Sequence, residues 1–217
     1  MIDRAVRNNA AWCAAVCRAH GLATTADADA WTSPRRTPPY YPDAVTLRPD
    51  CAADVLARVD AGPGCSVKDS FGTLDLTGHG FTVIIEATWL HRAESTAAPA
   101  YDGWRRVGDP AGLAAWTAAW GGGDGILVPA LLADDDVAVL ARYAGGEITA
   151  GATVNRAAGA VGVTNLFGDD AWNGAVAAAY DVFGPHPVVG YEHGPALTAA
   201  LDAGFTRLGP LRIWLKP

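Results

Sequence analysis

The chain has 217 residues, half of them hydrophobic and 18% charged. That is enough apolar material for one large domain or two small ones, with a core that needs neither disulfides nor a structural metal. Lys and Arg number 16 against 23 Asp and Glu, a net charge of −7, and this acidic balance argues against nucleic acid or an anionic membrane as partner.

The opening residues, Met1 to Arg4, lack the basic-then-apolar layout of a signal peptide. The most apolar stretch, Phe81 to Leu90, contains Glu86 and is about half the roughly 20 residues of a membrane span. Cys13, Cys17, Cys51 and Cys65 include no C-x-x-C pair; Cys13 and Cys17 sit four apart on one face of the expected first helix. Reduced core thiols, no metal and a cytoplasmic location are the expectation.

In chain order, Asp3 is placed to cap a first helix with Val6, Ala10, Cys13 and Cys17 on its apolar face, and Gly21 to stop it. Residues 23–43 carry Pro34, Pro38, Pro39 and Pro42, which forbid regular structure. Trp31, Tyr40 and Tyr41 are too apolar for a free linker. The segment is either an extended arm on the core, burying Trp31 and Tyr40, or the aromatic wall of a pocket. A strand at Val45 to Leu47, a helix at Asp50 to Val59 and a strand at Cys65 to Phe71 follow. Phe81 to Leu90 is the strongest single strand, rich in β-branched and aromatic residues. Its Glu86 faces either solvent or a site. Residues 93–103 form a small-residue connection that divides 1–103 from 104–217 within one compact unit.

Asp109 and Pro110 open a helix carrying Leu113, Trp116 and Trp120, stopped by the glycines at 121–123. A short apolar helix at Ile126 to Leu132 is expected next. Three strands, Val137 to Tyr143, Glu147 to Arg156 and Ala160 to Phe167, are joined by Gly145-Gly146 and Ala158-Gly159 as an antiparallel meander. A helix at Asp170 to Phe183, with Asp169 or Asp170 as its N-cap, leads to a buried strand at Pro187 to Tyr191. Pro195 starts a further helix closed by Gly204. The last strand alternates Leu211, Ile213 and Leu215 against Arg212, Trp214 and Lys216.

With a first short strand at Trp104 to Val107, this order over residues 104–217 resembles the GNAT (Gcn5-related N-acetyltransferase) superfamily. Residues 196–205, an alanine-rich turn ending in Gly204-Phe205, are similar to the family's late helix. Residues 44–90 are compatible with a worn half-copy of the same pattern. The resemblance implies an α/β protein of α+β type, with a mixed, mainly antiparallel sheet flanked by helices. It also implies acetyl-CoA, or another acyl-CoA, as co-substrate. The pantetheine arm would pair with the strand edge at Thr164, Asn165, Leu166 and Phe167. The pyrophosphate would lie by Gly168 and Asp169, at the N-terminus of the next helix. The loop departs from the family's Arg or Gln followed by spaced glycines: one glycine remains, and Asp169 and Asp170 stand where phosphates arrive. Ala200 occupies the position of the family's usual proton-donating Tyr.

Amine acylation needs a base for the ammonium proton and donors for the developing oxyanion. Beside the implied pocket, Glu192 is the candidate base, and Tyr191 or His193 the candidate donor to the departing thiolate. There is no G-x-S-x-G elbow, no phosphate-loop motif and no His pair at i, i+4. Two readings follow. One is an acyl-CoA-dependent N-acyltransferase of an unknown small amine. The other is a catalytically degenerate fold that binds a small ligand or a protein. A homodimer is compatible with either.

Overall fold

The computed structural model describes residues 1–49, 51, 55–95 and 101–217. Helix α1 (Ile2–Ala19) buries Val6, Ala10, Cys13 and Cys17 on one face, as their spacing requires. Its N-cap is Met1, whose carbonyl accepts from Arg4 and Ala5 N–H. Asp3, expected as the cap, therefore lies inside the first turn, where its charge still favours the helix dipole.

Among the described residues eleven strands form a single sheet. They are β1 (Thr25–Ala26), β2 (Ala30–Thr32), β3 (Ala44–Thr46), β4 (Ser66–Asp69), β5 (Thr82–Arg92), β6 (Trp104–Val107), β7 (Val137–Ala144), β8 (Glu147–Ala157), β9 (Ala160–Phe167), β10 (Val188–Glu192) and β11 (Thr206–Leu215). Their spatial order is β1-β2-β3-β4-β11-β5-β10-β9-β8-β7-β6. Among the described strands only β3/β4 and β9/β10 pair in parallel. Among the described residues the other α-helices are α2 (Pro110–Trp120), α3 (Ala171–Phe183) and α4 (Gly194–Asp202). The sheet is thus mixed and mainly antiparallel with helices on both faces, as expected.

The two faces bury different sets. On one, α1 and α2 pack Val16, Leu113 and Trp116 against Trp89, Val189 and Leu211. On the other, α3 and α4 set Val176, Ala179 and Ala200 against Val161, Val163, Val188 and Phe205. A smaller cluster around Val67, Leu76, Phe81 and Trp214 closes the β1–β4 end. Asn8 fastens α1 to the meander: its amide donates to the carbonyls of Asn155, Ala157 and Ala160, at 3.2, 3.1 and 3.1 Å. Gly162 makes this approach feasible, since a Cβ there would stand 2.0 Å from the Asn8 amide oxygen.

Several expectations need correction. The Pro-rich segment 23–43 is not free of regular structure: β1 and β2 lie within it, and β3 follows directly. The prolines confine themselves to the β2–β3 connection, where no ladder N–H is lost. Trp31 is buried, but Tyr40 is 75% exposed and Tyr41 takes the inward place. Pro129 limits the expected helix at Ile126 to Leu132 to a 3₁₀ turn at Pro129–Ala133. Of the helix expected over 50–59, residues 50 and 52–54 lie outside the described residues, and Leu56–Arg58 form a 3₁₀ turn. Glu86 is exposed and pairs with Arg212 at 3.1 Å. All four cysteines are buried and unbonded to one another.

Candidate functional site

The site begins where β9 and β10 part company. They pair only at Val161/Val188 and Gly162/Val189, although β9 runs on to Phe167 and β10 to Glu192. A bulge explains the separation. On β8, Gly151 faces Phe167 and Thr153 faces Thr164, so β9 carries an extra residue, and Asn165 adopts φ 51°. Bulges bend a strand and end its pairing on that side. The edge at 164–167 is left without a partner on β10.

A cavity opens on each side of this gap. The larger, about 830 Å³, lies on the α1 face. Trp12, Tyr40, Tyr41 and Trp120 supply its aromatic walls, and Asn9, Lys68, Thr164, Asn165 and Tyr191 its polar lining. The smaller, about 530 Å³, lies against α3 and α4 and is lined by Phe167, Gly168, Asp170, Trp172, Asn173 and Pro195 among others. Leu166 and Glu192 line both. Alternation along β10 produces this: Val189 and Tyr191 pack with the α1 cluster and Val188 with the α3 cluster, so Glu192 follows Val188 toward the second face.

Burial strips the Glu192 carboxylate of water and raises its pKa from 4.5 to about 7. Tyr191 sets its ring edge-on to Trp89, with centroids 5.3 Å apart, and its hydroxyl receives Lys68 Nζ at 3.2 Å. His193 is exposed at the N-cap of α4 and also lines the larger cavity. The three candidate residues at 191–193 therefore share one cavity wall. Of the strand edge, Thr164, Asn165 and Leu166 line the larger cavity, while Leu166, Phe167 and Gly168 line the smaller. Asn165 donates its amide to the Tyr41 hydroxyl at 3.2 Å. Tyr41 is buried and its phenol pKa is raised by that burial.

At the start of α3, Gly168 has φ +90°, and a Cβ there would meet the Thr149 carbonyl at 2.4 Å. Glycine is therefore obligatory in this loop. Asp169 is exposed and lines neither cavity, whereas Asp170 lines the smaller one. Asp170 stands at the N-cap but in the left-handed region (φ 51°), and its side chain makes no cap hydrogen bond. The expected plain N-cap is therefore absent: the left-handed backbone turns the carboxylate away from the free N–H groups of the first turn. Ala200 is fully buried beside Phe205, so nothing at that position reaches the gap.

Sequence reasoning missed Lys68 and Asn9. Lys68 lies in a short strand and Asn9 inside α1, with no motif to mark either. The one signal is the charged pair Lys68-Asp69 inside the strand expected over Cys65 to Phe71.

No family model matches this sequence, and no curated protein matches it. Solved structures do resemble it. A GCN5-related N-acetyltransferase from Kribbella flavida aligns over 96% of this chain and 95% of its own, at 14% identity and a TM-score of 0.61. A protein from Novosphingobium aromaticivorans, assigned to the GNAT family as an acetyltransferase, aligns over 97% of both chains at 12% identity and a TM-score of 0.59. A conserved protein of unknown function from Staphylococcus epidermidis gives 12% identity over 90% of this chain and 94% of its own, with a TM-score of 0.59. At such identities the likeness is one of architecture, and the fold of this chain is that of the GCN5-related N-acetyltransferases.

Proposed function

We propose that the chain is an acyl-CoA-dependent N-acyltransferase acting on a small amine. The observation that carries this reading is the meeting of two cavities at Glu192, at the point where β9 and β10 separate. Two reactants approaching from opposite faces of the sheet would meet there, between Glu192 and Leu166.

The smaller cavity suits the acyl donor. The unpaired edge at 164–167 offers N–H and C=O groups to an amide-rich arm, and the N-terminus of α3 offers free N–H groups to an anion. Asp170 opposes that anion, which predicts weak rather than absent binding. The bound thioester supplies the electrophilic carbonyl. Glu192, half-protonated near neutrality, accepts the proton of the incoming ammonium directly or through water. His193, exposed beside Glu192 at the N-cap of α4, is the candidate donor to the departing thiolate. The Tyr191 hydroxyl is held by Lys68 a side chain's length from the gap.

The test is acetyl transfer from acetyl-CoA to a panel of primary amines, read as released thiol and as acetylated product by mass spectrometry. Transfer that requires Glu192 supports the reading. A protein that neither binds acetyl-CoA at millimolar concentration nor acetylates any amine overturns it.

A further inference from the structure

We infer that the larger cavity takes an amine that also carries a carboxylate, several bonds away, seated on Lys68. The amine half of this inference rests on the acyltransferase reading; the carboxylate half rests on the cavity alone. Lys68 is 2% exposed and lines the cavity. Its Nζ donates to Asn9 Oδ1 at 2.8 Å and to the Tyr191 hydroxyl at 3.2 Å, and lies 4.3 Å from the centre of the Tyr191 ring. Each of these partners is neutral. An ammonium has three donors, so one remains.

Among the described residues no carboxylate pairs with Lys68, and Asp43 and Asp69 are already engaged. Asp43 receives Arg36 at 2.5 Å and the N–H groups of Thr37 and Ser66. Asp69, next in the strand, receives the N–H groups of Phe71 and Leu74. A cation withdrawn from water without a counter-ion is costly, and proteins keep one where an anion arrives to complete it. The cavity's other cation, Arg36, is already paired with Asp43 and donates to the carbonyls of Asp60 and Pro63. One unneutralised fixed charge matches a carboxylate rather than a doubly charged phosphate.

The same geometry limits the substrate's length. Lys68 meets the tip of the Tyr191 side chain, while the gap that holds Glu192 opens at the backbone of β10. Carboxylate and reacting nitrogen are therefore about a tyrosine side chain apart. An α-amino acid, with one carbon between the two groups, is too short. Trp12 and Tyr41 flank the span, which suits an apolar body.

The test uses glycine, 4-aminobutanoate, 6-aminohexanoate and 4-(aminomethyl)benzoate, each beside its carboxamide, in calorimetry and in acetyl transfer from acetyl-CoA. The longer carboxylates should bind at least about tenfold more tightly than their amides, the scale of a charge-assisted hydrogen bond, and glycine should not bind. Lys68→Met should reduce that preference to within about twofold, and should melt no lower than the native protein because a buried charge is gone. Asn9→Asp, which places a negative charge on the same Nζ, should also abolish the preference while raising the melting temperature. The inference is overturned if no probe binds, if native protein binds amides equally well, or if carboxylate preference survives in Lys68→Met. Should Lys68→Met fail to fold, retained preference in Asn9→Asp overturns it as well. Carboxylates that bind through Lys68 without being acetylated refute the acyltransferase reading alone. Acetylation indifferent to the carboxylate refutes this inference alone.

Discussion

The surroundings of Glu192 withhold water, and that has a cost in stability with a definite sign. Its folded pKa of about 7 lies above the ordinary 4.5, so the folded protein holds the proton more tightly than the unfolded chain. The stability tied to protonated Glu192 is fully present below pH 4.5 and is lost as pH rises through about 7. Glu192→Gln removes this dependence. Urea unfolding should find the variant unchanged at pH 4 and more stable by about 3 kcal/mol at pH 8. In acetyl transfer, native kcat/KM should climb through pH 7 as the base ionises. The Gln variant should lose the climb and roughly 10²-fold in rate. Asp170 sets the opposite balance on the donor side. Asp170→Asn keeps a residue that tolerates the left-handed backbone while removing charge from the smaller cavity. It should tighten acetyl-CoA by up to about tenfold after solvent screening and leave a phosphate-free pantetheine fragment unaffected. Asp169→Asn, outside both cavities, should do much less. Equal gains for acetyl-CoA and the fragment would place the effect elsewhere.

Elements position these residues through a few close approaches. The Asn8 amide reaches three carbonyls across the β8–β9 turn only because Gly162 has no side chain. Gly162→Ala should therefore cost about 1–3 kcal/mol by overpacking, and less in an Asn8→Ala background where the obstructing oxygen is gone. Additive costs in that double-mutant cycle would show that the two residues do not interact. The same elements show what a sequence can and cannot convey. The meander at 137–167 was legible because Gly145-Gly146 and Ala158-Gly159 fix its turns locally. The bulge at Asn165 was not, since it depends on register against β8, and with it went the exact shape of the gap. Tyr40 and Tyr41 differ by one position within a turn, Tyr40 at φ 70° and Tyr41 N–H donating to the Pro38 carbonyl; only the fold decides which is buried. The cluster at 191–193 could be singled out because it ends a strand beside a proline-started helix. Lys68 could not, because its role depends on Asn9 from α1 and Tyr191 from β10, 59 and 123 residues away.

At the scale of the molecule, burial protects the thiols: it raises Cys17 to about 12 and Cys65 to about 11, and raises Cys13 and Cys51 as well. A thiol reagent at pH 8 should find the native protein nearly inert and count four groups after denaturation without reductant. The sheet's connectivity makes a stronger demand. β5 pairs with β10 from Val188/Arg92 to Glu192/Thr88 and with β11 from Thr206/His91 to Leu215/Thr82. The other neighbour of β11 is β4. Residues 104–217 hold the elements that follow the family order, yet made alone they would leave β11 without any neighbour and β10 with a bare edge. Leu211 and Trp214, both buried in the whole chain, would be exposed on the orphaned strand. Unpaired edges of this kind invite aggregation, and each of those side chains forfeits about 1.5–3 kcal/mol of burial. The 104–217 fragment should therefore be insoluble or lack a cooperative thermal transition, and co-expression with residues 1–103 should restore both solubility and the transition. A sharp, reversible melt of the isolated 104–217 fragment would show instead that β5 and β4 only decorate a sheet that stands without them.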